Sequence, residues 1–182
     1  MKKDKENSES KDMTKTKNDS TARDFAITRE FNVPRELMFK IWTQTEHLNQ
    51  WFGPKGVTIV SPKNDLRPGG VFHYGMRTDD GTVMWGKRIY LEIVPPERLV
   101  FIVSFSDEQG GVTRHPVSVD WPLETSSTVT FAEHEGKTAV TIQWAPHNAS
   151  ESERKAFDDG RNEMKRGWTG TLDQLNAYLT RL

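Results

Sequence analysis

The sequence predicts an α+β fold in which a curved antiparallel sheet of about six or seven strands grips a long C-terminal helix, with two short helices after the first strand. Three patterns predict it. Residues 150–182 carry apolar side chains at helical spacing, residues 57–144 contain strand-like runs separated by turns, and residues 25–52 contain one alternating run followed by two apolar helical segments. Consecutive hairpins make an antiparallel sheet, which can curl around one helix.

The C-terminal helix is the clearest of these elements. Its apolar side chains recur on one helical face, at Phe157, Met164, Trp168, Leu172, Leu175, Leu179 and Leu182. Ser150 and Glu153 have the spacing of a capping box that starts the helix. One unbroken helix over this stretch would be about 45 Å long. Because it cannot bury its apolar face alone, a sheet must cover that face.

Three glycines, Gly160, Gly167 and Gly170, interrupt this predicted helix, each at a cost of about 1 kcal/mol relative to alanine. Gly167 lies beside the apolar face, next to Trp168. Its missing side chain leaves room between the helix and the sheet, and we expect a functional site in that space.

The first elements follow from alternation and capping residues. Residues 25–31 alternate between apolar and polar positions and predict a strand. Pro34 suits the first position of a helix, and Thr45 is placed to cap a second short helix.

The remaining strands are predicted between turn residues, at 57–66, 71–77, 83–94, 99–105, 127–133 and 138–144. For the run 83–94 the sequence does not determine which face points inward, because Tyr90 lies on the face opposite Ile89 and Leu91. Residues 107–124 form a long loop of the kind that acts as a lid or is disordered. Trp121 within this loop predicts that it packs on the domain.

Length and composition predict a single domain over residues 23–182. Residues 1–22 have Met1, Met13 and Ala22 as their only apolar positions, so we expect this segment to be a disordered tail. The segment has neither the apolar core of a signal peptide nor the composition of an amphipathic targeting peptide.

Charge and cysteine content exclude several classes of protein. The formal net charge of −1 provides no global field for nucleic acid, and no apolar run is long enough to span a membrane, so neither is an expected partner. The chain has no cysteine, which excludes disulfides and thiolate chemistry and suits a cytoplasmic location.

The sequence shows no pattern typical of catalysis or metal binding. The five histidines are His47, His73, His115, His134 and His147. No two of them have the i, i+4 spacing of a helical metal pair, and there is neither a nucleophile elbow nor a phosphate-binding loop. We therefore expect no metal, no cofactor, no catalytic residue and no enzymatic activity.

Aromatic and other apolar side chains are the positive signal. We expect a ligand cavity between helix and sheet lined by Trp51, Phe52, Phe72, Tyr74, Met76, Trp85, Phe101, Val103, Phe105, Trp144, Met164, Gly167, Trp168 and Leu172. The alternative is that the same aromatic residues simply fill the core. Trp42 is expected in the core, and Trp85 fits either face.

Polar side chains inside such a cavity would orient a ligand. The candidates are Tyr74, Tyr90, Arg88 and Gln143. We expect Gln143 to face solvent and Arg88 to be a surface residue that extends its charge into water, because a buried unpaired charge is costly.

Several motifs resemble the bacterial relatives of the activator of heat shock protein 90 ATPase, within the START-like helix-grip superfamily. They are Val33-Pro34-Arg35-Glu36, Trp42-Thr43, the run 46–54, Pro68-Gly69-Gly70, Asp80-Gly81, the run 92–100, His115-Pro116, Trp121-Pro122, Gly167-Trp168 and the run 172–175. The resemblance covers about residues 25–180.

This resemblance implies a sheet that grips the C-terminal helix over a cavity. Members of the superfamily bind lipids, polyketides, flavonoid-like compounds and other apolar small molecules. The leading hypothesis is therefore a non-catalytic carrier or sensor of a small hydrophobic ligand, as a monomer or weak dimer. One alternative is a module that docks on a chaperone through the outer sheet face near Arg77 and Lys87. The other is an enzyme similar to polyketide cyclases or aromatases.

Overall fold

The computed structural model describes residues 24–182. The predicted disordered tail, residues 1–22, lies outside the described residues. The strands are β1 (Phe25–Phe31), β2 (Val57–Asn64), β3 (Val71–Thr78), β4 (Val83–Val94), β5 (Arg98–Ser106), β6 (Val112–Thr113), β7 (Glu124–His134) and β8 (Lys137–His147). The helices are α1 (Arg35–Thr43), α2 (Thr45–Trp51), α3 (Glu151–Asp159) and α4 (Arg161–Leu179).

One antiparallel sheet contains all of these strands. Its order is β1-β8-β7-β5-β4-β3-β2, with the short strand β6 paired to β5. The consecutive strands β1 and β2 therefore lie at opposite edges, and α1 and α2 connect them. The predicted α+β helix-grip fold is confirmed: a single open sheet, two short helices after the first strand, and a helical C-terminus.

The C-terminal helix differs from the prediction because it is two helices that meet at Gly160. The Gly160 residue ends α3 and begins α4, with φ −82° and ψ 4°. The predicted capping box is present at the start of α3. The Glu153 amide donates to Ser150 Oγ over 3.2 Å, and the Ser150 amide donates to the Glu153 carboxylate over 2.8 Å.

The short helices begin slightly away from their predicted positions. Pro34 is the N-cap of α1 rather than its first helical residue, and Gln44 rather than Thr45 is the N-cap of α2. Neither cap makes a side-chain hydrogen bond, so tertiary packing rather than capping chemistry determines these ends.

A β-bulge determines which side chains of β4 face inward. The register of β4 against β5 shifts between Tyr90 and Glu92. Before the shift the even-numbered Arg88 and Tyr90 are buried, whereas after it Ile93, the partner of the buried Leu99, packs against the core. Leu91 is 51% exposed. An extra residue in one strand moves the following side chains to the other face, which is why simple alternation did not fit this run.

The core lies between the concave face of the sheet and the helices. Trp42 on α1 is fully buried, as predicted, and its ring lies 4.8 Å from that of Trp51 and 6.2 Å from that of Trp168. These contacts join α1, α2 and α4 into one layer. Within residues 24–182, no helix has the length and apolar character to cross a membrane.

Candidate ligand cavity

A cavity of about 380 Å³ lies between the concave face of the sheet and α4. Strands β3, β4 and β5 form its floor, α4 forms one wall, and the loop 107–123 forms another. Eleven of the fourteen predicted residues line it: Phe52, Tyr74, Met76, Trp85, Phe101, Val103, Phe105, Trp144, Met164, Gly167 and Trp168. The structure therefore brings most of the predicted set together, while ligand binding by these residues stays a prediction.

Strand alternation explains the apolar floor. Tyr74 and Met76 share one face of β3, and Phe101, Val103 and Phe105 share the same face of β5. Because β4 pairs with both strands, these side chains form one continuous surface.

Three predicted residues lie in the core instead of on the cavity wall. Trp51 packs on Trp42, and its Nε1 donates to the carbonyl oxygen of Ile41 over 3.1 Å. Phe72 and Leu172 are completely buried. Periodicity correctly identified their inward face, but it does not report how deep a residue lies along that face.

Trp85 borders the cavity, yet its indole ring lies on the outer face of the sheet. The ring stacks on the imidazole of His73, with centroids 5.1 Å apart and an interplanar angle of 14°. His73 points away from Tyr74, because the two residues are neighbours on β3, and its Nε2 lies 3.2 Å from Ser106 Oγ.

Arg88 is the main correction to the sequence prediction. It was expected at the surface, but it is only 2% exposed and lines the cavity. Its guanidinium carbon lies 4.1 Å from the ring centroid of Phe52 and 4.8 Å from that of Phe101. Phe52 follows α2 and Phe101 lies on the neighbouring strand β5, so the pattern within β4 alone does not indicate this environment. Gln143 is exposed, as predicted.

The Tyr74 ring lies across Gly86, its register partner on β4. A Cβ added at Gly86 would lie 3.1 Å from the Tyr74 hydroxyl oxygen, so the glycine makes room for this ring. Burial raises the pKa of Tyr74, although the nearby charge of Arg88 opposes the shift. The hydroxyl therefore remains protonated at neutral pH.

The loop 107–123 contributes wall residues that sequence reasoning did not assign to the site: His115, Trp121, Pro122 and Leu123. The prediction that Trp121 holds the loop on the domain is confirmed, because its ring lies 5.5 Å from that of Phe157 on α3. The motifs His115-Pro116 and Trp121-Pro122 were the available signal. His115 packs against Phe105 with ring centroids 4.7 Å apart, and burial lowers its pKa.

The other wall residues that the sequence prediction missed are Gly53, Pro54, Met84, Gly86, Ser104, Thr125, Glu163 and Thr171. Most are small or polar, so an apolar-face argument overlooks them. Gly167 borders the cavity but is exposed, and a Cβ added there would meet no heavy atom within 4 Å, so open solvent accounts for this space and the expected room between helix and sheet at Gly167 stays a prediction. Among residues 24–182 no three His, Asp or Glu side chains cluster in a way that could hold a metal ion.

The sheet, the helix across it and the cavity between them define a START-like helix-grip protein. The family described as "Activator of Hsp90 ATPase homolog 1-like protein" matches residues 32–180, and the chain belongs to that family.

Solved structures of bacterial proteins share the fold. A crystal structure from Mycobacterium smegmatis is 27% identical, with a TM-score of 0.69, and the match covers 90% of this chain and 94% of that one. A solution structure from Arthrobacter aurescens is also 27% identical, with a TM-score of 0.73 and 90% coverage of both chains. None of the curated proteins matches this sequence.

Proposed function

We propose that this protein binds a small apolar molecule, of lipid, polyketide or flavonoid-like character, in the cavity beneath α4. The observation that carries the proposal is the 380 Å³ space with aromatic and aliphatic walls. Small-molecule sites in proteins typically measure about 300–1,000 Å³ and combine apolar walls with a few polar groups. A cavity inside a domain also costs stability, which a bound ligand would offset.

We propose that this binding is not accompanied by catalysis. The titratable side chains on the wall are Tyr74, Arg88, His115 and Glu163. The Glu163 side chain is 72% exposed and pairs with Arg166, so it lies at the rim. The enclosed part of the wall thus offers no carboxylate to pair with a second acid or base. A carrier or sensor fits this arrangement, and we propose that it is cytoplasmic.

The test is a fluorescence titration with N-phenyl-1-naphthylamine, a neutral apolar dye. We expect saturable binding with one dye per chain, and loss of binding in Val103→Phe, which fills the cavity. Val100→Phe is the matched control, because Val100 lies on the same strand, β5, but on the opposite face of the sheet from Val103. Absence of saturable binding to the native chain, or equal binding by both variants, would contradict the proposal.

The family description favours a second candidate, a module that binds a heat shock protein 90 homologue. The sequence suggested the outer sheet face near Arg77 and Lys87. Arg77 is exposed, whereas the Lys87 ammonium donates to the Gly110 carbonyl oxygen over 2.8 Å and is half-buried. Stimulation of the chaperone's ATP hydrolysis that Arg77→Glu abolishes and Val103→Phe preserves would favour this function over ligand binding.

A further inference from the structure

The guanidinium of Arg88 is a buried cation that lacks an anionic partner. Its Nη1 is inaccessible to solvent, and no group in residues 24–182 accepts a hydrogen bond from it. None of the ion pairs in this part of the chain includes Arg88. Buried arginines are ordinarily paired, because removing an unpaired charge from water costs several kcal/mol. This cost is of the same order as the net free energy of unfolding of a whole domain.

Aromatic rings surround this cation without neutralising it. Besides Phe52 and Phe101, the ring centroids of Phe72 and Tyr74 lie 5.6 Å and 6.0 Å from its guanidinium carbon. Contacts between a cation and ring faces recover part of the lost hydration, at about 0.5–2 kcal/mol each. They leave the net positive charge and the unused donor in place.

The polar neighbours do not supply the missing negative charge either. The Tyr74 hydroxyl is neutral at physiological pH because burial raises its pKa. Burial also raises the pKa of Tyr90, whose hydroxyl donates to Asn64 Oδ1 over 3.0 Å. The cavity is therefore a mainly apolar space with one positive charge on its wall.

We propose that the natural ligand is an apolar molecule with one anionic head group, a carboxylate; this inference rests on the proposed function. The carboxylate binds Arg88 while the apolar body contacts the aromatic walls. Arginine and carboxylate match in geometry and charge. One cation favours a monoanion, because a dianionic phosphate would bring a second, unpaired charge into the same apolar space.

The experiment compares two probes of equal shape, 2-naphthoate and the neutral 2-naphthamide, by isothermal titration. In Arg88→Met we expect the affinity for 2-naphthoate to fall about tenfold or more, as expected for a charge-assisted hydrogen bond. The affinity for 2-naphthamide should change by less than about threefold. Arg77→Met, which removes the same charge from an exposed position on β3, should leave both affinities unchanged.

Thermal unfolding of the same variants distinguishes a ligand-binding arginine from a structural one. Because Arg88→Met replaces an unpaired buried charge by an apolar side chain of similar length, the unliganded variant should be at least as stable as the native chain. Arg88→Lys keeps the charge and should bind 2-naphthoate more tightly than Arg88→Met does.

Each of these measurements either supports or contradicts a ligand-binding role for Arg88. Unfolding of Arg88→Met, or equal loss of both probes, would show that Arg88 is structural and overturn the inference. Undiminished binding of 2-naphthoate by Arg88→Met would overturn it as well, while binding of N-phenyl-1-naphthylamine would still support the proposed function. If the native chain binds neither the dye nor the naphthyl probes, the proposed function and this inference both fail.

Discussion

Trp121 lies so close to Gly160 that a Cβ built on the glycine would stand 2.8 Å from Cζ3 of the indole ring. The same ring packs on Phe157 in the preceding turn of α3. This contact joins the loop 107–123 to the junction between α3 and α4. Since both the loop and α4 are walls of the cavity, the contact also closes one side of the proposed ligand site.

Gly160→Ala should therefore destabilise the protein by about 1–3 kcal/mol, the usual cost of forcing an extra methyl group into a packed contact. Urea unfolding measures this change. Hydrogen exchange should also show faster exchange of amides in the loop 107–123, because Trp121 must move. An unchanged free energy of unfolding would mean that the ring contact does not hold the loop.

Gly167→Ala is the counterpart of Gly160→Ala, at a glycine of α4 where an added Cβ has no close neighbour. A Cβ there would contact nothing within 4 Å, and Gly167 lies inside α4 with an exposed surface. We expect stabilisation by about 1 kcal/mol, since alanine is the better helix former. A loss of stability in urea unfolding would show that the space beside Gly167 is already occupied by packed atoms.

Gly86→Ala should displace the Tyr74 ring from its position across β4. The added Cβ would lie 3.1 Å from both Cζ and the hydroxyl oxygen of Tyr74, so the ring would have to tilt into the cavity. We expect N-phenyl-1-naphthylamine to bind several-fold more weakly, a loss of about 1 kcal/mol. The effect should nearly vanish in a Tyr74→Leu background, which a double-mutant cycle measures. Additive effects would exclude a direct clash between the two residues.

The stability of the loop 107–123 should depend on pH through His115. Burial lowers the pKa of His115, and the Val117 amide donates to its Nδ1 over 3.1 Å, so the folded protein favours the neutral ring. The unfolded chain then binds a proton more tightly than the folded one. Stability is complete above the unfolded pKa of about 6.5 and falls as the pH decreases below it.

Melting temperatures at pH 7.5 and pH 5.5 test this dependence. The decrease should be smaller in His115→Phe, which retains a ring against Phe105 but cannot take up a proton. His134→Phe serves as the control, because the His134 side chain is 85% exposed on a hairpin. Equal decreases in the native chain and in His115→Phe would rule out His115 as the source.

Local sequence patterns predicted those features that neighbouring residues determine. Alternation together with turn residues located every described strand except the two-residue β6, and the spacing of Ser150 and Glu153 located the start of α3. Patterns failed where one residue changes the geometry. The bulge after Tyr90 reverses the faces of β4, and Gly160, with φ −82° and ψ 4°, divides one predicted helix into two.

The sequence by itself determined the order of the strands and helices, their inward apolar faces and eleven of the residues on the cavity wall, because the periods of strands and helices are properties of consecutive residues. The resemblance of its motifs to a known family added the helix-grip arrangement. Only the tertiary structure decided the depth of each side chain and the burial of Arg88. The contacts of Arg88 with Phe52 and Phe101, for example, form only when the segment after α2 packs on the paired strands β4 and β5.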